Sequence, residues 1–142
     1  MYRVCLNAVL LATLLGAAAG AQADVVVIVS VKNPTRQLSS EQASDLFLGK
    51  TGDFPNGAKA TPLDQNEGSS VRDVFYLKSS GKAPAQMKAH WARMLFTGRG
   101  QPPVESGDSE TIKKLVAANP GLIGYIDKDA LDSSVRPVLT LH

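Results

Sequence analysis

The run Asp24 to Lys32, DVVVIVSVK, limits the fold more than any other stretch of the chain. Its β-branched side chains are stiff at χ1 and suit a pleated surface. A strand wetted on one face alternates apolar and polar residues, whereas one that is apolar almost throughout is covered on both faces. Helices are therefore expected above and below the sheet that holds this strand. Asn33-Pro34 ends it, because proline cannot extend the ladder with an N–H.

Upstream, Arg3, the apolar run Val9 to Ala19 and Ala21-Gln22-Ala23 follow the order of a basic start, a hydrophobic core and a small-x-small processing site. That order predicts a signal peptide over 1–23, cleaved before Asp24, and a single domain over 24–142. The apolar run is shorter than the roughly 18 residues of a spanning helix, so no membrane span is expected after cleavage. The product is expected in the periplasm or secreted. The only cysteine, Cys5, lies in the leader, with no lipobox-like run before it. The exported part would then carry no disulfide, thiolate nucleophile or cysteine metal site and must rest on its core. Removing 23 of the 142 residues leaves 119, which suits one domain. The net charge of +2 falls to +1 without Arg3, and no basic run exceeds two residues, so nucleic acid is not an expected partner. His90 and His142 have no clustered carboxylates, and neither a metal nor a cofactor is expected.

Four helices, three further strands and a helical turn follow from local signals. Ser39 with Gln42 forms a capping box, and Ala43, Leu46 and Phe47 share the face of a short helix that Gly49 closes. The stretch 50–59 reads as a loop with an Asn56-Gly57 turn, followed by a strand from Ala60 to Leu63. Val71, Val74, Phe75 and Lys78 mark a second helix that stops at Ser79-Ser80-Gly81. Met87, Trp91, Met94 and Leu95 mark a third from Pro84 to about Leu95, with His90 one position off the stripe in a structural or solvent-facing role. Ser109 or Asp108 caps a fourth, which carries Ile112, Leu115 and Val116 and ends at Asn119-Pro120-Gly121. A strand over Leu122 to Ile126 follows, in which Gly124 permits a close approach. Next come a helical turn within Asp127 to Asp132 and an edge strand over Val135 to Leu141 that tolerates Pro137. The order predicts an α/β fold, a single three-layer domain whose mostly parallel or mixed sheet has helices on both faces.

Between the second strand and the second helix lies LDQNEGSSVRDVFY, Leu63 to Tyr76. Gly68, Ser69 and Ser70 form a polar turn at a helix start, where free backbone N–H groups and the positive end of the helix dipole suit an anion. The same residues also suit an ordinary N-cap. Arg99, in the Gly-Arg-Gly turn of FTGRGQPP, reads either as a reach toward an anion or as a solvated turn residue.

Three segments in order, LSSEQASDLFLGKTGDFPNG, DQNEGSSVRDVF and NPGLIGYIDKDAL, resemble the phosphate-type periplasmic substrate-binding proteins of the two-lobed class II kind. Phe54 stands where that family carries a Trp, Gly68-Ser69-Ser70 stands at its Ser-Gly-Thr turn, and Leu122 stands for the Ala of its Pro-Gly-Ala-Ile-Gly-Tyr strand. The resemblance implies one lobe of the class II periplasmic binding fold, the second, with Gly68, Ser69, Ser70, Arg72 and Arg99 as ligand-binding candidates. It also implies a non-enzymatic binding domain for a small oxyanion such as phosphate, held weakly, with a membrane-protein partner or a homodimer supplying the rest of the cleft. The alternative is a protein–protein interaction module of a periplasmic sensor or transport system. Asp64 replaces the arginine that the family places four residues before its turn, and Arg72 or Arg99 would have to supply compensating charge.

Overall fold

The computed structural model describes residues 24–142, and the expected signal peptide lies outside them. Strands β1 (Val25–Ser30), β2 (Thr61–Asp64), β3 (Val104–Glu105), β4 (Leu122–Asp127) and β5 (Val135–Leu141) form one sheet in the order β3-β2-β4-β1-β5. Helices α1 (Ser40–Phe47), α2 (Ser70–Ser80), α3 (Pro84–Phe96) and α4 (Ser109–Ala118) flank it, with a single 3-10 turn at Lys128–Ala130. Among the described residues no helix is long and apolar enough to cross a membrane.

Every residue of β1 is buried, and its side chains alternate between two cores. Val25, Val27 and Val29 pack with residues of α1, α2 and α3, among them Phe47, Phe75 and Trp91. Val26 and Ile28 face α4 through Ile112 and Val116. The sheet is mixed rather than mostly parallel: β1 runs antiparallel to both β4 and β5, and β2 runs parallel to β3 and β4. A continuous apolar strand reports two covered faces and says nothing of direction, which the connections set. Strand β5 is an edge, and its pairing with β1 shifts register beside Pro137, where a missing N–H costs little.

The capping box at Ser39 is formed, with the Gln42 N–H donating to the Ser39 hydroxyl and the Ser39 N–H donating to the Gln42 side chain. Asp108, not Ser109, caps α4. The Ser109 hydroxyl instead accepts from the Gln65 side chain and the Asp127 N–H, tying α4 to the loop after β2. Leu115 and Leu95 are exposed rather than core-facing, and β3 has no counterpart in the sequence-based expectation. A two-residue strand beside a Pro-Pro segment leaves no period to read.

Gly124 lets α4 lie directly on β4. A Cβ there would sit 2.5 Å from Ile112 Cγ2, a fully buried methyl with no room to retreat. Gly124→Ala is expected to cost about 1–3 kcal/mol through overpacking. Urea denaturation checks this, and an unchanged midpoint would show that α4 does not pack so closely.

Candidate functional site: an anion turn over a buried carboxylate

Strand β2 ends at Asp64, the chain crosses Gln65 to Ser69, and α2 begins at Ser70. Gly68 adopts φ +89°, a left-handed conformation that a side chain rarely takes, and so turns the chain into the helix. Ser69 is the N-cap: its hydroxyl accepts from the Arg72 N–H at 3.2 Å and donates to Gln65 Oε1 at 2.8 Å. Its own N–H donates to the Asn66 carbonyl. Ser69 is thus consumed by the turn. Among the described residues nothing accepts from the N–H groups of Gly68, Ser70 and Val71, and Ser70 is exposed. These donors and the Ser70 hydroxyl are what the turn offers an anion.

Under the turn lies Asp64, buried at the end of β2. The Tyr76 hydroxyl donates to one of its oxygens at 2.8 Å, and the Tyr125 hydroxyl donates to the other. Tyr125 also accepts from the Gln65 N–H, so one phenol joins β4, β2 and the loop. Burial raises the Asp64 pKa above the ordinary carboxylate value, opposed by the Tyr125 hydrogen bond, the Arg72 charge and the Tyr76 hydrogen bond. Burial and the neighbouring carboxylate hold both phenols protonated far above their usual range, so both remain donors.

Arg72 stands 3.8 Å from Asp64 and 2.6 Å from Glu105, and it donates to the Gln65 carbonyl. Glu105 also accepts from the Glu67 N–H, which fastens β3 to the loop. Asp64 therefore does not project at a bound anion as a bare charge, and Arg72 does not offer its charge freely. Each neutralises the other. The sequence reading missed Gln65, Tyr76, Glu105 and Tyr125 here. The spacing of Arg72 and Tyr76, one helical turn apart, was the available signal.

Beside the turn runs a groove of about 590 Å³ between α2, α3 and the 102–105 segment, with apolar walls from Met87, Trp91, Leu95, Pro102 and Pro103. Its lining includes four carboxylates, the buried Asp64 with Glu67, Asp73 and Glu105, against three cations, Arg72, Lys82 and Lys88. With all ionised, the formal balance is −1, which does not attract an anion over distance. Gly68 and Arg72 border this groove, Ser69 and Ser70 follow in the turn without lining it, and Arg99 lies apart. It lines a separate pocket at the end of α3 with His90 and Arg93. His90 is buried, with its Nε2 2.9 Å from the Leu48 carbonyl oxygen.

A five-stranded mixed sheet with helices on both faces and a helix start at the end of β2 is the architecture of one lobe of a periplasmic substrate-binding protein. The chain is similar to a phosphate ABC transporter substrate-binding protein from Clostridium perfringens solved with bound phosphate, with 26% identity and a TM-score of 0.65. That match covers 82% of this chain and 45% of the other. An ABC-type phosphate transport receptor from Vibrio cholerae matches at 19% identity and a TM-score of 0.62, over 82% of this chain and 46% of its own. PstS from Borrelia burgdorferi matches at 12% identity and 0.60, over 82% and 47%. The chain spans about half the length of these structural neighbours. No protein-family model and no curated protein sequence matches the chain.

Proposed function

We propose that this chain is an exported, non-enzymatic binding domain built as one lobe of a phosphate-type substrate-binding protein, acting in the periplasm or after secretion. The reading rests on the three unaccepted N–H groups at the start of α2, in a fold similar to a phosphate-bound one. Gly68, Ser70 and Val71 present the donors, Ser69 fixes their geometry, and Arg72 holds the turn against Asp64 and Glu105. Each such hydrogen bond contributes about 0.5–1.5 kcal/mol net, so a single open wall holds an oxyanion with Kd of about 1 mM or weaker. Tight binding needs a second wall from a membrane-protein partner or a second copy of the chain.

Isothermal calorimetry with phosphate, sulfate and small carboxylates tests the reading, with amide shifts of Gly68, Ser70 and Val71 followed by NMR to locate the binding. Saturable shifts at these amides that Ser69→Ala plus Ser70→Ala abolishes are expected. Titration to tens of millimolar without them would sink oxyanion binding at the turn. The apolar walls and net negative lining of the groove favour the second reading, an interaction module of a periplasmic sensor or transport system. Covalent capture of a membrane protein through a photo-crosslinker at Leu95, lost on Met87→Glu, would then be the expected result.

A further inference from the structure

The end of α3 carries a second concentration of anion-binding groups, away from the Gly68 turn. A pocket of about 350 Å³ is lined by His90, Arg93, Met94, Thr97 and Arg99. Among the described residues neither Arg93 nor Arg99 meets a carboxylate, although every cation bordering the Gly68 groove except Lys82 does. His90 is only 8% exposed, so its ring is held rather than swinging in solvent. Its Nε2 faces the Leu48 carbonyl oxygen, which only accepts, so Nε2 carries the hydrogen and Nδ1 is left free. Nδ1 has no partner among the described residues, and it is not among the side-chain atoms sealed from solvent without one.

The end of a helix is ordinarily hostile to anions, because its last carbonyls point outward. Here three of the last four are taken. The Arg93 carbonyl accepts from both the N–H and the hydroxyl of Thr97, the Met94 carbonyl from the Arg99 N–H, and the Leu95 carbonyl from the Gly98 N–H. The helix dipole accounts for basic side chains near a C-terminus, and His90 lines the same pocket with its Nδ1 unpartnered among the described residues.

We propose that His90, Arg93 and Arg99 form a second binding site at the end of α3, one that takes a phosphate group. Two guanidinium forks pair with its oxygens, and Nδ1 donates to a P–O⁻ when protonated or, for a free phosphate, accepts from its P–OH when neutral. The group comes from a free phosphate or from a lipid headgroup. Phe96, 94% exposed on the same helix end, is the side chain that would enter a bilayer in the second case. This site is separate from the Gly68 turn.

NMR amide shifts of the full 24–142 domain locate the binding, measured with inorganic phosphate against sodium chloride at matched ionic strength. Trp91, the only tryptophan, has its ring 4.9 Å from that of His90 and gives an independent fluorescence signal. Saturable phosphate shifts from Thr97 to Gly100 are expected. Arg93→Ala and Arg99→Ala should each weaken them about tenfold, while Ser69→Ala plus Ser70→Ala leaves them unchanged. In a parallel arm, co-sedimentation with phosphatidylglycerol but not phosphatidylcholine vesicles, lost on Phe96→Ser and on Arg93→Ala, assigns the headgroup. Saturation by inorganic phosphate without vesicle binding assigns the solute. Shifts reproduced by chloride together with no vesicle binding overturn the site, as does binding that survives loss of both arginines.

Discussion

Asp64→Ala is expected to destabilise the domain by about 2–4 kcal/mol at neutral pH, because it leaves the buried hydroxyls of Tyr76 and Tyr125 without an acceptor. Relief from burying a carboxylate offsets part of the loss, and Arg72 keeps Glu105. Asp64→Asn retains an oxygen for one phenol and is expected to cost about 1 kcal/mol, the net worth of an ordinary hydrogen bond. The pH dependence separates the two effects. Burial raises the folded-state pKa of Asp64 above 3.8, so the folded form binds its proton more tightly than the unfolded form does. The contribution of this group to stability is therefore fully present below 3.8 and declines as pH rises from there through the raised folded value. Asp108 and Asp132 are both lowered, so their own changes fall on the acid side of 3.8. Urea unfolding of wild type and Asp64→Asn across this range is expected to show the decline only in wild type. Parallel pH profiles would refute the desolvated carboxylate.

Phe75→Ala is expected to cost about 3–5 kcal/mol, the range for removing a fully buried phenyl ring. The ring stacks on Tyr125 with centroids 4.0 Å apart and planes 6° apart. It meets Phe47 edge-on at 4.8 Å and Tyr76 at 5.0 Å. Its loss empties the centre of the larger core and frees the two tyrosines that hold Asp64. The turn before α2 should loosen with it, and amide hydrogen exchange at Gly68 to Val71 should quicken more than at β5. Phe75→Leu keeps most of the volume and is expected to cost less than about 1.5 kcal/mol. A loss below about 1 kcal/mol for the alanine variant would mean that the site can collapse around the gap.

The Gly68 turn was legible because every signal in it is local. Gly68 with Ser69 and Ser70 ahead of an amphipathic helix states a turn and a cap within a few residues, and the structure has both. Arg72 was legible as a neighbour of the turn but not as the partner of Asp64 and Glu105, since Glu105 lies 33 residues away. Asp64 read as a charge hostile to phosphate. Its actual setting depends on Tyr125, 61 residues downstream, which no periodicity connects to it. Arg99 followed the same pattern: the sequence showed a cation in a turn, and only the packing of α3 placed it beside His90 and Arg93.

Acting alone, the sequence determined the burial of β1 on both faces, the capping box at Ser39 and the stops of the helices, the edge position of the Pro137 strand and the close approach at Gly124. Each of these is decided by side-chain chemistry within one or two turns of the backbone. The tertiary structure decided the antiparallel pairing of β1 with β4 and β5, the existence of β3 and the neutralisation of Arg72. It also decided where charge gathers outside the turn. Those depend on which distant segments meet, and the same local patterns are compatible with several such meetings until one core excludes water from both faces of the sheet.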